Sequence, residues 1–251
     1  EELIERVAAV NQRTIVILQT GGPVEMPWLG KVQAVLQMWY PGQELGNAVA
    51  DVLFGDQEPG GRLPQTFPKS LSDNSAITEN PLVYPGKEGH VRYDEGVFVG
   101  YRHHDTSNIE PLFPFGYGLG YTRFEWVNAR ASAETMGEDG LNVMVDVTNV
   151  GDRKGSEVVQ LYVRPQNSVV SRPEKELRAF AKLELSPGET RTVILNIKLR
   201  DLSYYDVEAA AFRSEKGQYD LILAANAGDI RETVTITNPH EWLGPVDSVS
   251  V

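Results

Sequence analysis

The sequence predicts a mixed chain, part of an α/β domain with a parallel sheet followed by an all-β sandwich. Three observations predict it. Over residues 1–70, helix-period and strand-type apolar runs alternate. Over residues 121–238 every run is short and strand-like, with turn residues at regular intervals. Between them lies a stretch of little periodicity, rich in Ser, Asn, Pro, Gly and aromatics. The organisation expected is 1–70 as the last part of an α/β domain, 71–120 as a connecting arm, 121–238 as the β-sandwich and 239–251 as a tail.

The chain opens on EELIERVAAVNQ, where Leu3, Ile4, Val7, Ala8 and Val10 form one helical stripe with no N-cap residue ahead of them. A charged, helix-patterned start is no signal peptide and reads as the middle of a fold. TIVILQT follows, a β-branched run ended by Gly21-Gly22-Pro23, the pattern of a strand buried on both faces. AVLQMWY repeats it and stops at Pro41-Gly42. Leu45, Ala48, Val49, Val52 and Leu53 then fall at helical spacing, and Gly55 supplies the stop. Strands and helix in this order call for a parallel sheet, but there are too few strands to close or cover one. The arm is too aromatic for a floppy linker: Tyr84, Tyr93, Phe98, Tyr101, Phe113, Phe115, Tyr117 and Tyr121 argue that it is pinned across another surface. LNVMVDVTNVG alternates cleanly, with Leu141, Val143, Val145 and Val147 on one face. SEVVQLYVRP, ELRAFAKLEL, ETRTVILNIKL, GQYDLILAA and RETVTIT continue the series, so that about seven strands suit one immunoglobulin-like or fibronectin type III-like module.

Composition narrows the function. The 251 residues are 41% hydrophobic, enough for a sizeable core. The net charge of −12 argues against a nucleic-acid surface. No apolar run approaches membrane-spanning length. Without cysteine there are no disulfides, thiolate chemistry or cysteine-based zinc sites, but the compartment stays undecided. No N-x-S/T sequon occurs.

Several residues are of types that carry chemistry. Asp94 and Glu95 are adjacent in what reads as an extended stretch, so they point to opposite faces and cannot flank one bond. Glu44 and Asp51 share a helical face but stand about 10.5 Å apart along the axis, too far for a retaining carboxylate pair; Glu44 suits a helix N-terminus instead. His103-His104-Asp105 would diverge on a strand, lacks further ligands at a metal-binding spacing and reads as a polar surface turn, and His90 and His240 are isolated. Gly21-Gly22-Pro23 lacks the phosphate-loop patterns, and its proline removes an N–H. No G-x-S-x-G surrounds any serine. Trp28, Trp39 and Tyr40 are kept as ligand-contact candidates, because they lie by turns at the ends of presumed strands, where open α/β sheets carry a crevice, with core or interdomain packing as the competing role.

Taken in order, VILQTGGPVEMPW, WYPGQELGNAVADVLFGDQEPGGRLPQTFP, YDEGVFVGYRHHD, FPFGYGLGYTRFEW, VDVTNVGDRKGSEVVQLYVRP and ELRAFAKLELSPGET resemble glycoside hydrolase family 3, the β-glucosidases and β-xylosidases, over about residues 14–235. Gly120 stands where Ser is usual, and Tyr-Arg-His-His-Asp is more polar than the common aromatic version. The resemblance implies a TIM-like barrel, an α/β sandwich domain and a fibronectin type III-like domain, of which this chain holds the last parts. It places the Asp nucleophile on the barrel, in many members before a Trp, and no Asp-Trp occurs here. It places the Glu acid/base on a loop that precedes TIVILQT, upstream of Glu1. Neither catalytic residue is therefore carried over. The implied partners are the barrel and the rest of the sandwich domain, with a β-linked glucoside as substrate, no metal or organic cofactor, and a homodimer left open. A periplasmic or extracellular setting is favoured, and a cytoplasmic one is left open. The competing readings are a stand-alone carbohydrate-binding or adhesion module, against which Tyr162, Phe180, Tyr204 and Tyr205 are scattered, and a cytosolic α/β enzyme, for which no catalytic constellation is found.

Overall fold

The computed structural model describes residues 1–246. Helix α1 (Glu2–Val10) leads into β1 (Ile15–Leu18), which pairs in parallel with β2 (Ala34–Gln37), Ile15 opposite Ala34. Helix α2 (Leu45–Phe54) follows and ends at Gly55, whose φ of 82° is the left-handed stop that glycine favours. A small core lies on one side of the strand pair: Val16, Met26, Trp28 and Phe67 are buried together, and Ile4, Val35 and Phe113 pack against them.

The other surfaces of this part are bare. Ile15 and Ile17 of β1 are exposed, so the expectation of a strand buried on both faces is overturned in this chain. The α1 stripe splits: Ala8 is buried and Ile4 packs inward, whereas Leu3, Val7 and Val10 are exposed. Helix α2 buries none of its residues, and Phe54 is 84% exposed. The physical reason is the sheet itself: two strands present two apolar faces, and there is cover for only one.

The arm runs from the α/β part to the β-sandwich and is pinned to both. Phe67 and Phe113 exchange backbone bonds, as do Leu63 with Tyr117 and Gly116. The short helix α3 (Tyr101–Thr106) carries Tyr101 onto Phe115 and Tyr162, with ring centroids 5.5 and 5.6 Å away.

The sandwich packs two antiparallel sheets. One has the order β11-β10-β5-β6, from β5 (Gly155–Pro165), β6 (Glu176–Leu185), β10 (Gly217–Asn226) and β11 (Asp229–Asn238). The other has β3-β4-β7, from β3 (Phe124–Ala131), β4 (Leu141–Asn149) and β7 (Thr190–Ile197). Val143, Val145, Val147, Leu161, Leu221, Leu223 and Ile197 fill the space between them. In β4 alternate residues are buried, as the alternating sequence requires; β5 and β10 are buried on both faces, because the arm covers their outer side. A small sheet, β12-β9-β8, joins β8 (Tyr204–Asp206), β9 (Ala211–Ser214) and β12 (Trp242–Gly244). Trp242–Gly244, expected outside the strand pattern, thus pairs with β9.

Asn149 ends β4 fully buried and fully used. Its Oδ1 accepts from Thr122 Oγ1 at 2.6 Å and Gly151 N at 3.0 Å, and its Nδ2 donates to the carbonyls of Arg153 and Leu185 at 2.7 and 2.9 Å. Truncation leaves several buried groups unpaired. Asn149→Ala and Leu221→Ala are each expected to lower stability by about 3 kcal/mol in urea unfolding. Phe54→Ser, at an uncovered position, is expected to change it by less than about 0.5 kcal/mol.

Candidate functional site

Parallel pairing brings the loops after β1 and β2 to one edge. There the Gln37 amide donates to the Thr20 carbonyl at 3.3 Å and to Thr20 Oγ1 at 3.1 Å, and Thr20 Oγ1 donates to the Gly22 carbonyl at 3.0 Å. These bonds hold the Gly21-Gly22-Pro23 turn against the end of β2. The Tyr40 ring lies over Gly21, where a Cβ would fall 2.7 Å from its hydroxyl, so a side chain at position 21 would displace the exposed ring.

The three aromatic candidates separate. Trp28 is 3% exposed, packed in the small core. Trp39 meets Phe67 edge-on at 6.0 Å, with its backbone at a φ of 52°, in the left-handed region. Tyr40 is 76% exposed beside the glycine turn. Glu44 precedes α2 at the N-cap position, but its carboxylate accepts from the Asn47 amide at 2.6 Å and not from the helix backbone.

Other expectations are corrected. Asp94 and Glu95 sit in a turn, where Phe98 N donates to the Glu95 carbonyl at 3.0 Å, and Asp94 pairs with Arg92 at 3.0 Å. His103 and His104 lie on helix α3, not a strand. A ring nitrogen of His104 bonds the Ile109 carbonyl at 3.0 Å, and His103 meets Ser107 Oγ at 3.3 Å. No group of three or more His, Asp or Glu with metal-binding geometry occurs among the described residues.

What sequence reasoning missed is the joint between the two halves. Residues 55–62 lie along the start of β5. The Glu58 carboxylate accepts from the backbone N–H of Tyr121 at 3.1 Å and from that of Ser156 at 2.5 Å. Gly120 and Gly155 make room for it, since a Cβ at either would fall within 2.4 Å of Glu58 Oε1. Gly120, the departure noted in the sequence, therefore borders this joint. Arg62 donates to the Ser156 carbonyl at 3.0 Å and to Glu157 at 3.3 Å, and Lys182 donates to the Gly60 carbonyl at 2.8 Å. Tyr121 closes the set by donating to the Val52 carbonyl at 2.6 Å, at the end of α2. Each of these side chains reads locally as a surface polar group, and only the docking of two domains gives it a partner.

A second joint fastens the arm. Lys175 pairs with Asp105 at 2.5 Å, and the Tyr101 hydroxyl accepts from Leu177 N at 2.9 Å. Glu176 gathers Arg172 at 2.6 Å, Arg178 at 3.1 Å and Arg102 of α3 at 3.7 Å. Burial pushes the Glu176 carboxyl up, but the guanidinium groups of Arg178 and Arg172 outweigh it and hold it below the usual carboxylate value.

Glu58→Ala is expected to cost roughly 1–2 kcal/mol and to speed proteolytic cleavage within residues 55–62. For Glu176 the folded value lies below the unfolded one, so its contribution is present above the ordinary carboxylate range and is lost as pH falls through the depressed value. The melting temperature of Glu176→Gln is expected to fall less steeply on acidification than that of the parent.

With this geometry in hand, the comparisons are specific. The model of the glycosyl hydrolase family 3 C-terminal domain matches residues 1–121, and that of the fibronectin type III-like domain matches residues 157–227. The chain is 69% identical to a β-glucosidase of Rhizobium radiobacter over 95% of its own length and 29% of that protein. It is 44% identical to thermostable β-glucosidase B of Acetivibrio thermocellus over 94% and 31%. It also resembles the crystal structure of DesR, a β-glucosidase from Streptomyces venezuelae in complex with D-glucose, at 39% identity and a TM-score of 0.89, over 94% of this chain and 30% of that one. The chain thus spans about three tenths of the length of the relatives it matches. It belongs to glycoside hydrolase family 3, whose C-terminal domain it carries together with a fibronectin type III-like domain.

Proposed function

We propose that this chain is the C-terminal, non-catalytic part of a retaining β-glucosidase-like hydrolase, and that it supplies one wall of the cleft and a module that braces it. One observation carries the reading: the α/β part leaves Ile15, Ile17, Val10, Leu53 and Phe54 bare around a parallel strand pair. Such a pair is stable in water only under cover on both faces. The covering partner in this reading is the rest of the sandwich domain, with the barrel beyond it, and the units are 1–70, 71–120 and 121–238. The complete enzyme cleaves a terminal β-linked glucose with two carboxylates and a covalent glycosyl intermediate, and both carboxylates belong to the portion that precedes this chain. Tyr40 is the remaining candidate for sugar contact, because it alone of the three aromatics is well exposed beside the glycine turn.

The test is turnover of an aryl β-glucoside. This chain alone is expected to give no release above background, and the complete enzyme to release glucose with retained anomeric configuration; hydrolysis by the chain alone sinks the reading. In the complete enzyme, Tyr40→Ala is expected to raise KM severalfold, worth about 1 kcal/mol, with kcat little changed.

A further inference from the structure

The arm has two unlike halves. Residues 101–117 turn their aromatics inward, onto the sandwich and onto Phe67. In residues 82–99 the two tyrosines turn out, while Phe98 is half-buried. Tyr84 is 60% exposed and Tyr93 82% exposed, and Val91, Val97 and Val99 are also exposed.

This outward half is shaped, not slack. Lys87 and His90 exchange both backbone bonds at 2.9 Å around a Glu88-Gly89 turn with φ of 54° and 78°, the two-residue turn that closes a tight hairpin. Gly86 lies under Val91, whose Cγ2 would be 2.8 Å from a Cβ there. Gly86 N donates to the Pro81 carbonyl and Arg92 N to the Leu82 carbonyl, at 2.9 and 2.8 Å. Val83 is buried at the base. The hairpin thus carries Tyr84 on one leg and Val91 and Tyr93 on the other, and the turn after it carries Val97 and Val99.

We propose that this hairpin face is a docking surface for the catalytic portion that precedes this chain, separate from the bare α/β face; the inference rests on the function proposed above. Two facts choose that occupant. About seven tenths of the relatives' length lies outside this chain, so a large neighbour in the same polypeptide is available to cover it. The composition is that of a protein interface: tyrosines that combine an apolar ring with a polar tip, beside branched aliphatics. The valines offer nothing to a hydroxylated sugar, so a glucan is the poorer fit.

Hydroxyl-radical footprinting of the tyrosines, read by mass spectrometry on this chain and on the complete enzyme, tests it. Tyr205, 48% exposed on β8, is the internal reference. In the chain alone Tyr84 and Tyr93 are expected to label at least as strongly as Tyr205. In the complete enzyme their labelling relative to Tyr205 is expected to fall about fivefold, independently of protein concentration and of added glucoside. Unchanged labelling in an enzyme that still cleaves an aryl β-glucoside overturns this inference and leaves the proposed function standing. Protection that appears only at high protein concentration, or only with added β-glucan, also overturns it, in favour of a second copy or of a sugar.

Discussion

A parallel pair of strands has two apolar faces and needs both covered. The first part of this chain depends on that constraint. Strands β1 and β2 are covered on one side by Trp28, Phe67 and the inner side of α1, and that side holds the buried cluster of the α/β part. On the other surfaces, Ile15, Ile17, Val7, Val10 and Phe54 meet water. The family assignment and the bare surfaces support the same reading: this is the trailing portion of a larger layer. What holds the fragment of sheet in place is the joint to the sandwich. Glu58, Arg62, Tyr121 and Lys182 tie residues 52–62 to Tyr121, β5 and β6 through backbone groups. The sandwich therefore braces the end of α2, and through it the loop that carries Trp39 and Tyr40.

The sandwich meets the same kind of constraint and satisfies it internally. Strands β5 and β10 are buried on both faces, which an exposed antiparallel sheet does not require. The second face is supplied by the arm: Tyr101 and Phe115 pack on Tyr162, Ile222 and Ala224. The ion pairs of Asp105 and Arg102 with Lys175 and Glu176 then fix where the arm lies. One irregular segment thus serves as core for the sandwich and as the link to the α/β part.

Much of this was legible in the sequence, where the signal is periodic. The alternation of LNVMVDVTNVG gave β4 and its buried face residue for residue, and Gly55 marked the end of α2. The family motifs carried identity without offering a catalytic residue. Elsewhere local patterns were insufficient. Strand β3 carries no clean alternation, because a bulge between Val127 and Arg130, with Asn128 at a φ of 59°, breaks it. Helix α3 escaped because YRHHDT is too short and polar to show a period, which put His103 and His104 on the wrong kind of element. The short strands β8, β9 and β12 lie among turns and form only because they find each other. At the site, the sequence could name Trp28, Trp39 and Tyr40, but burial alone separates a core indole from an exposed ring. The Glu58 joint needed two domains in contact before its partners existed.

Amide hydrogen exchange on this chain alone tests the central claim most directly, since it reports how well each strand is covered. The amides of Ile15–Leu18 and Ala34–Gln37 are expected to exchange far faster than those of β5 and β10, and to become equally slow in the complete enzyme. Equal protection of β1, β2, β5 and β10 in the chain alone would contradict it, because the α/β part would then be a finished domain.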